Sequence, residues 1–185
     1  MTISTSRILL ASFVLTGSVG GQASSLDLKG SLFETVGNNY NIPASLLYSV
    51  ALAESSLGTK SKVSPHPYAI RSEDGSFYPS SLVEAKEILD QQIATHGLNV
   101  DVGMMQISLY WQKGYYDSPF ELLDLETNIK VGAAILTKCL NSSPNDIVIG
   151  VGRYHAWADV ERSRIYGFRV LEIHNNVLES IGGEI

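Results

Sequence analysis

One cysteine, Cys139, is the only thiol in this 185-residue chain. A lone cysteine excludes an internal disulfide, even for an exported protein. The four histidines, at positions 66, 96, 155 and 174, have no metal-ligand spacing and no cysteine pair to complete a zinc set, so no metal is expected. No Gly-x-Ser-x-Gly stretch supports a serine nucleophile. Positive charge is scarce: 13 Lys and Arg stand against 19 Asp and Glu, a formal net charge of −6. An acidic chain without basic clusters argues against nucleic acid or an anionic membrane as partner. There is no internal repeat and only one long apolar run.

That run lies at the extreme N-terminus. Arg7 precedes Ile8-Leu-Leu-Ala-Ser-Phe-Val-Leu-Thr16, and small residues follow through Gly20, Gly21 and Ala23. A positive start, a short apolar core and a small-residue zone read as a cleavable export signal over residues 1–23. The core is too short to span a bilayer as a helix. Loss of Arg7, the only charged residue in that stretch, takes the net charge from −6 to −7. Residues 24–30 read as a linker, and residues 31–185 as one soluble domain large enough for a real core.

Within that domain the periodicity is mostly helical. Ser31 to Asn38 carries Leu32, Phe33 and Val36 on one side. Pro43 suits the first turn of a second helix and Gly58 its exit. Ser81-Leu-Val-Glu84 is a capping box for a third, with Leu82, Ala85, Ile88, Leu89 and Ile93 inward and Gly97 at its end. Pro119 to Asp124 starts a short helical piece. Thr127 or Asn128 can cap a long helix through Leu140, which places Cys139 as a buried core thiol rather than a reactive one. Pro144 to Trp157 aligns Ile147, Val151 and Tyr154. Asp159 to Ile181 aligns Val160, Ile165, Phe168, Leu171 and Val177. Asp74-Gly75 between Tyr68-Ala-Ile70 and Phe77-Tyr78 is the one hairpin signal. The fold class is mainly α (α+β), with one small β-hairpin.

Glu54 is the residue that breaks its pattern. In the second helix Leu46, Leu47, Val50, Ala51 and Glu54 share a face, so an acid takes an apolar place. Burial and the negative end of the helix dipole both disfavour the carboxylate there. A carboxylic acid that keeps its proton near neutral pH is what general acid catalysis requires.

Four pieces occur in order. They are Glu54-Ser55-Ser56, Asp101-Val-Gly-Met-Met-Gln-Ile107, Asn128-Ile129 with Gly132-Ala-Ala-Ile-Leu136, and Gly152-Arg-Tyr-His155. Over roughly residues 32 to 172 the chain resembles the catalytic domain of the soluble lytic transglycosylases, a lysozyme-like fold. It is most similar to the small exported members encoded with conjugation, type IV pilus and type III or IV secretion systems. The resemblance implies a periplasmic enzyme, monomeric and without cofactor. It would cleave the β-1,4 MurNAc–GlcNAc bond of peptidoglycan strands and leave 1,6-anhydroMurNAc, in the service of a transenvelope complex. Glu54 would act first as acid and then as base, without the second carboxylate most glycosidases use.

The resemblance also distributes roles. Gly103, Met104, Met105 and Gln106 would line the sugar cleft. Gly103 would admit close backbone approach, a methionine would face a pyranose ring, and Gln106 would bond a substituent or hold the loop. Tyr154 would bring its hydroxyl near Glu54. His155 stands where many relatives carry Asn, and its contact with substrate is open. Ser55 either bonds substrate or caps its helix. Asp101 is expected to brace the loop rather than act as a second catalytic carboxylate. Of the aromatics Tyr110, Trp111, Tyr115 and Tyr116, one or two would line the cleft. Two other readings remain: a water-using muramidase, and a silent peptidoglycan-binding subunit.

Overall fold

The structure is a computed structural model that describes residues 26–59 and 62–182; the export signal expected over residues 1–23 lies outside them. Among the described residues are six α-helices, one short 3-10 helix and six short strands. This is a mainly helical α+β fold of the lysozyme-like kind.

Local chemistry sets the helix starts. Helix α1 (Leu32–Tyr40) is capped by Ser31, whose Oγ accepts the Glu34 N–H at 3.2 Å. The Glu34 carboxylate in turn accepts the Gly30 N–H at 2.6 Å. Asn41, left-handed at φ 55°, turns the chain into α2 (Ala44–Ser55). Helix α3 (Leu82–His96) is capped by Ser81 and stopped by Gly97 at φ 60°. The capping box differs in detail: the Glu84 carboxylate takes the N–H and hydroxyl of Ser80, one residue earlier than the motif predicts. Helix α4 (Leu125–Asn141) is capped by Asp124, not by Thr127 or Asn128. Thr127 supplies the N–H that Asp124 accepts, and Asn128 is buried for another purpose. Helix α5 is a single short piece, Ile147–Gly152, started by Asp146. Helix α6 runs Val160–Ser180 from the Asp159 cap.

Helix α2 differs most from its periodicity. It is not amphipathic: nine of its twelve residues are buried, Ser45, Ser49 and Ser55 among them. It runs through the middle of the domain, packed on α1 and α6. Its serines tolerate burial because their hydroxyls find partners close by. Ser49 donates to the Ser45 carbonyl at 2.6 Å, and Ser45 pairs with the His174 ring at 2.9 Å.

The β-structure exceeds the one hairpin expected. Strand β1 (Ser56–Thr59) follows α2 with no intervening loop and pairs antiparallel with β2 (Lys62–Pro65). The expected hairpin forms from β3 (Ile70–Ser72) and β4 (Gly75–Phe77). It is extended by β5 (Asp101–Val102) and β6 (Ile107–Ser108), in the order β4-β3-β5-β6. Two-residue strands carry no periodicity to detect. The segment read as linker is seated in the fold: Leu26 and Leu28 are buried, and the Leu26 N–H donates to the Ser180 carbonyl at 3.1 Å.

Helix α6 also turns a different face inward. Ser163, Tyr166, Gly167, Val170 and Val177 are buried, whereas Ile165 and Phe168 are 66% and 57% exposed. Backbone contact explains the phase. A Cβ on Gly167 would lie 2.0 Å from the Val148 carbonyl oxygen, and one on Gly152 would lie 1.9 Å from that of Ser163. Helices α5 and α6 therefore meet glycine against backbone, and the small residues of α6 must face in. Gly152→Ala is expected to destabilise the fold by about 1–3 kcal/mol, the usual range for overpacking. Gly114→Ala, with open space around it, should melt within about a degree of the parent. Thermal unfolding of both variants checks this.

Candidate active site

Glu54 ends the buried run of α2, in the last turn before β1. The residue is half-buried. Its Oε1 accepts the Tyr166 hydroxyl at 2.5 Å. Burial pushes the Glu54 carboxyl up to about 7; the Tyr166 bond and the charges of Arg71 and Arg169 oppose that rise, and the charge of Asp101 adds to it. The Tyr166 phenol is held well above its usual range, by burial first and then by the Glu54 charge, so it stays a donor. The exposed His155 ring lies flat on the Tyr166 ring, with centroids 4.9 Å apart and planes 6° apart.

The Gly-Met-Met-Gln loop lies beside this acid, held by groups from α2, from α4 and from the turn just beyond α5. Ser55 Oγ donates to the Met104 carbonyl at 2.8 Å, and the Tyr154 hydroxyl donates to the Met105 carbonyl at 2.8 Å. The Met105 N–H donates to Asn128 Oδ1 at 2.8 Å. Asn128 Nδ2 reaches the Val102 and Leu122 carbonyls, both at 2.9 Å. Every polar atom of this buried amide is thereby satisfied. Gly103, at φ 78°, has no room for a side chain: a Cβ there would lie 2.1 Å from Asn128 Nδ2. Gln106 takes the left-handed region at φ 45°, and its Nε2 donates back to the Gly103 and Ala69 carbonyls at 2.9 and 3.1 Å.

Several expectations change as a result. Met104 and Met105 are buried, Met105 against Gly132 in α4, and neither offers a face to a sugar. The Ser55 hydroxyl is buried and shared between the Ala51 and Met104 carbonyls, so it braces the loop rather than meeting substrate. Gly103 makes room for Asn128, and Gln106 closes its own turn. The tyrosine bonded to Glu54 is Tyr166; the Tyr154 hydroxyl bonds the Met105 carbonyl and lies near enough to Glu54 for that charge to add to the rise that burial gives its phenol. Asp101 sits opposite Arg71 in the β3–β5 register. Burial raises its carboxyl, against the Arg71 charge and the Ser108 hydroxyl. Trp111 is 78% exposed and meets Tyr110 edge to face, whereas the Tyr116 hydroxyl is tied to the Leu109 carbonyl at 2.6 Å. Among the described residues no three His, Cys, Asp or Glu side chains group so as to hold a metal ion.

The large apolar residues of α6 point its stripe toward Ile165 and Phe168, which leaves Tyr166 off the inward face. Counting Ser163 and Gly167 as inward-facing small residues brings Tyr166 to the buried side.

A half-buried acid with a phenol donor, beside a loop braced by Ser55, Asn128 and Tyr154, is the setting a comparison with known families can decide. The family model described as transglycosylase SLT domain matches residues 31–165. The chain belongs to this family. No curated protein and no solved structure matches it. Membership in the SLT transglycosylases carries lytic transglycosylase action on peptidoglycan as the general activity, and with it a site of action outside the cytoplasm. The matched span begins at the Ser31 cap and ends at Ile165, one residue short of Tyr166.

The acidity of Glu54 has a consequence for stability. Its folded-state value, about 7, lies above that of the unfolded chain, near the ordinary glutamate value of 4.5. The folded state therefore holds the proton more tightly, and stability falls as pH rises between those values. Glu54→Gln removes the penalty and keeps an acceptor for Tyr166. The variant should match the parent at pH 4 and melt progressively above it from pH 5 to pH 8, as read by thermal unfolding across that series.

Proposed function

We propose that this protein is an exported lytic transglycosylase. It cleaves the β-1,4 bond between MurNAc and GlcNAc and leaves a 1,6-anhydroMurNAc end, with Glu54 as the single acid and base. The observation that carries this reading is the placement of Glu54, half-buried at the end of α2 with the Tyr166 hydroxyl on its Oε1; burial pushes this carboxyl up to about 7, where it can both lend a proton and take one back at neutral pH.

The steps follow from that residue. Protonated Glu54 gives its proton to the glycosidic oxygen, and the bond from that oxygen to C1 of MurNAc breaks. The N-acetyl carbonyl oxygen of the same sugar closes on C1. Glu54, now a carboxylate, takes the proton of the C6 hydroxyl, and O6 displaces the acetamido oxygen at C1. The acid ends as it began, and no water is consumed. Tyr166 acts while Glu54 is charged, because its hydroxyl on Oε1 favours the carboxylate. Oε2 is left to carry the proton toward substrate.

A water-using muramidase is the second reading, and Asp101 favours it, since its charge acts on Glu54. Against it, the Asp101 carboxyl is bonded by the Ser108 hydroxyl and sits in the field of Arg71 across the strand pair. We further assign residues 1–23 to export into the periplasm, and the biological task to local wall opening for a conjugation, pilus or secretion complex.

Digestion of purified sacculi followed by mass spectrometry tests the reaction. Anhydro ends are expected; reducing MurNAc ends in their place would make the enzyme a hydrolase. Glu54→Gln should lower the rate by at least about 10³-fold, since one residue serves both proton transfers. Activity should fall as pH rises through about 7, where Glu54 loses its proton. Tyr166→Phe removes a bond that favours the carboxylate, so it should move that limb to higher pH and lower the maximal rate. A pH–rate profile of both proteins checks the direction.

A further inference from the structure

The charge around Glu54 has the opposite sign to the chain as a whole. Five arginines lie among the described residues. Two are engaged away from the acid: Arg164 faces Asp146 at 3.8 Å, and Arg153 donates to the Ser142 carbonyl and lies over the Trp157 ring. The other three, Arg71, Arg162 and Arg169, gather at the site. Arg162, Tyr166 and Arg169 are spaced by four and three residues along α6, so they share one face of that helix. This is the face whose tyrosine bonds Glu54. Arg169 donates to the Ala53 carbonyl at 3.1 Å, next in sequence to Glu54. Arg71 projects from β3, opposite Asp101. The charges of Arg71 and Arg169 act on Glu54, and those of all three act on His155.

All three arginines are exposed. Among the described residues none has a carboxylate within 4.0 Å. Asp101 offsets one of them. With Glu54 protonated, the mouth of the site is left with an excess of about two positive charges in a chain whose net charge is −6. Three exposed guanidiniums whose charges act on one imidazole make a locally positive surface, and a planar fork of N–H donors fits a carboxylate in two-point contact. Glucosamine rings carry no carboxylate. The muramic acid 3-O substituent does, either on the peptide stem or, where the stem is gone, on the lactyl group itself.

We infer that Arg162, Arg169 and Arg71 form a rim that reads carboxylates on the muramyl side chain, so that the enzyme selects its cleavage site by what hangs from the glycan as well as by the sugars. This rests on the transglycosylase reading and specifies its substrate. Arg162 is the residue to test, because it lies a full turn of α6 from the Glu54 contact and its side chain makes no hydrogen bond to the described residues.

Three glycans separate the sources of charge. They are intact sacculi, sacculi whose carboxylates have been amidated with carbodiimide and ammonia, and stem-free strands from amidase digestion, which expose the lactyl carboxylate. The parent protein should cleave at least one carboxylate-bearing glycan tenfold or more faster than the amidated one, with the advantage falling as salt rises. A preference for intact sacculi assigns the stem carboxylates; a preference for stem-free strands assigns the lactyl group. Arg162→Gln should narrow the ratio to less than about twofold, Arg162→Lys should retain part of it, and thermal unfolding should show both variants folded. Equal rates on all three glycans, or an equal loss on all three in Arg162→Gln, overturns the inference. Anhydro ends appearing at equal rates would leave the reaction standing and remove only the rim. If no glycan yields anhydro ends, the reaction itself fails. Co-sedimentation of Glu54→Gln with intact and amidated sacculi then still reads the rim, with equal binding to the two counting against it.

Discussion

The site depends on how two consecutive peptide units are held. The backbone of Met104 and Met105 receives or gives hydrogen bonds to Ser55 at the end of α2, to Asn128 in α4 and to Tyr154 just beyond α5. All three side-chain partners are wholly or half-buried, so water competes poorly for these bonds and leaving any of them unmade is expensive. One short loop thereby fixes the relation among three helices, and α2 carries the acid. Gly103 belongs to the same device, since only a residue without a side chain lets Asn128 approach the turn. The four sequence pieces thus share a mechanical meaning before any catalytic one.

The second constraint is the junction of α5 and α6. Gly152 and Gly167 bring backbone against backbone, and this seating turns Tyr166 rather than Ile165 or Phe168 toward α2. Packing far from the substrate thus decides which phenol meets Glu54. The acid sits at an abrupt change from helix to strand, with no loop between α2 and β1 to let it wander. Its burial opposes ionisation, while Tyr166 and two arginines moderate the opposition. The outcome near 7 is a balance of these effects.

Much of this was legible in the sequence. The Ser81 cap starts its helix through a local hydrogen bond, and a local rule finds it. Glu54 was legible because an acid in an apolar run has few innocent explanations. The Asp74-Gly75 hairpin follows from turn chemistry alone. The failures share a cause: they concern which way a side chain points once distant segments meet. Ser49 and Ser55 look like a polar face until their own helix carbonyls are seen to satisfy them. Met104 and Met105 look available for a ligand until α4 closes over them. Asn128 reads as a cap because its three partners lie 6 to 26 residues away along the chain. Tyr166 needed the phase of α6, which glycine contacts with α5 set and hydrophobicity misreports.

Cys139 lies buried in α4, and burial pushes its thiol up to about 11. At neutral pH almost none of it is the nucleophilic thiolate, and no second cysteine exists to pair with. An oxidising environment therefore finds nothing to cross-link while the helix holds. Once α4 opens, the same sulfur becomes available to any thiol-reactive dye, and its labelling rate reports how often the core of this protein breathes.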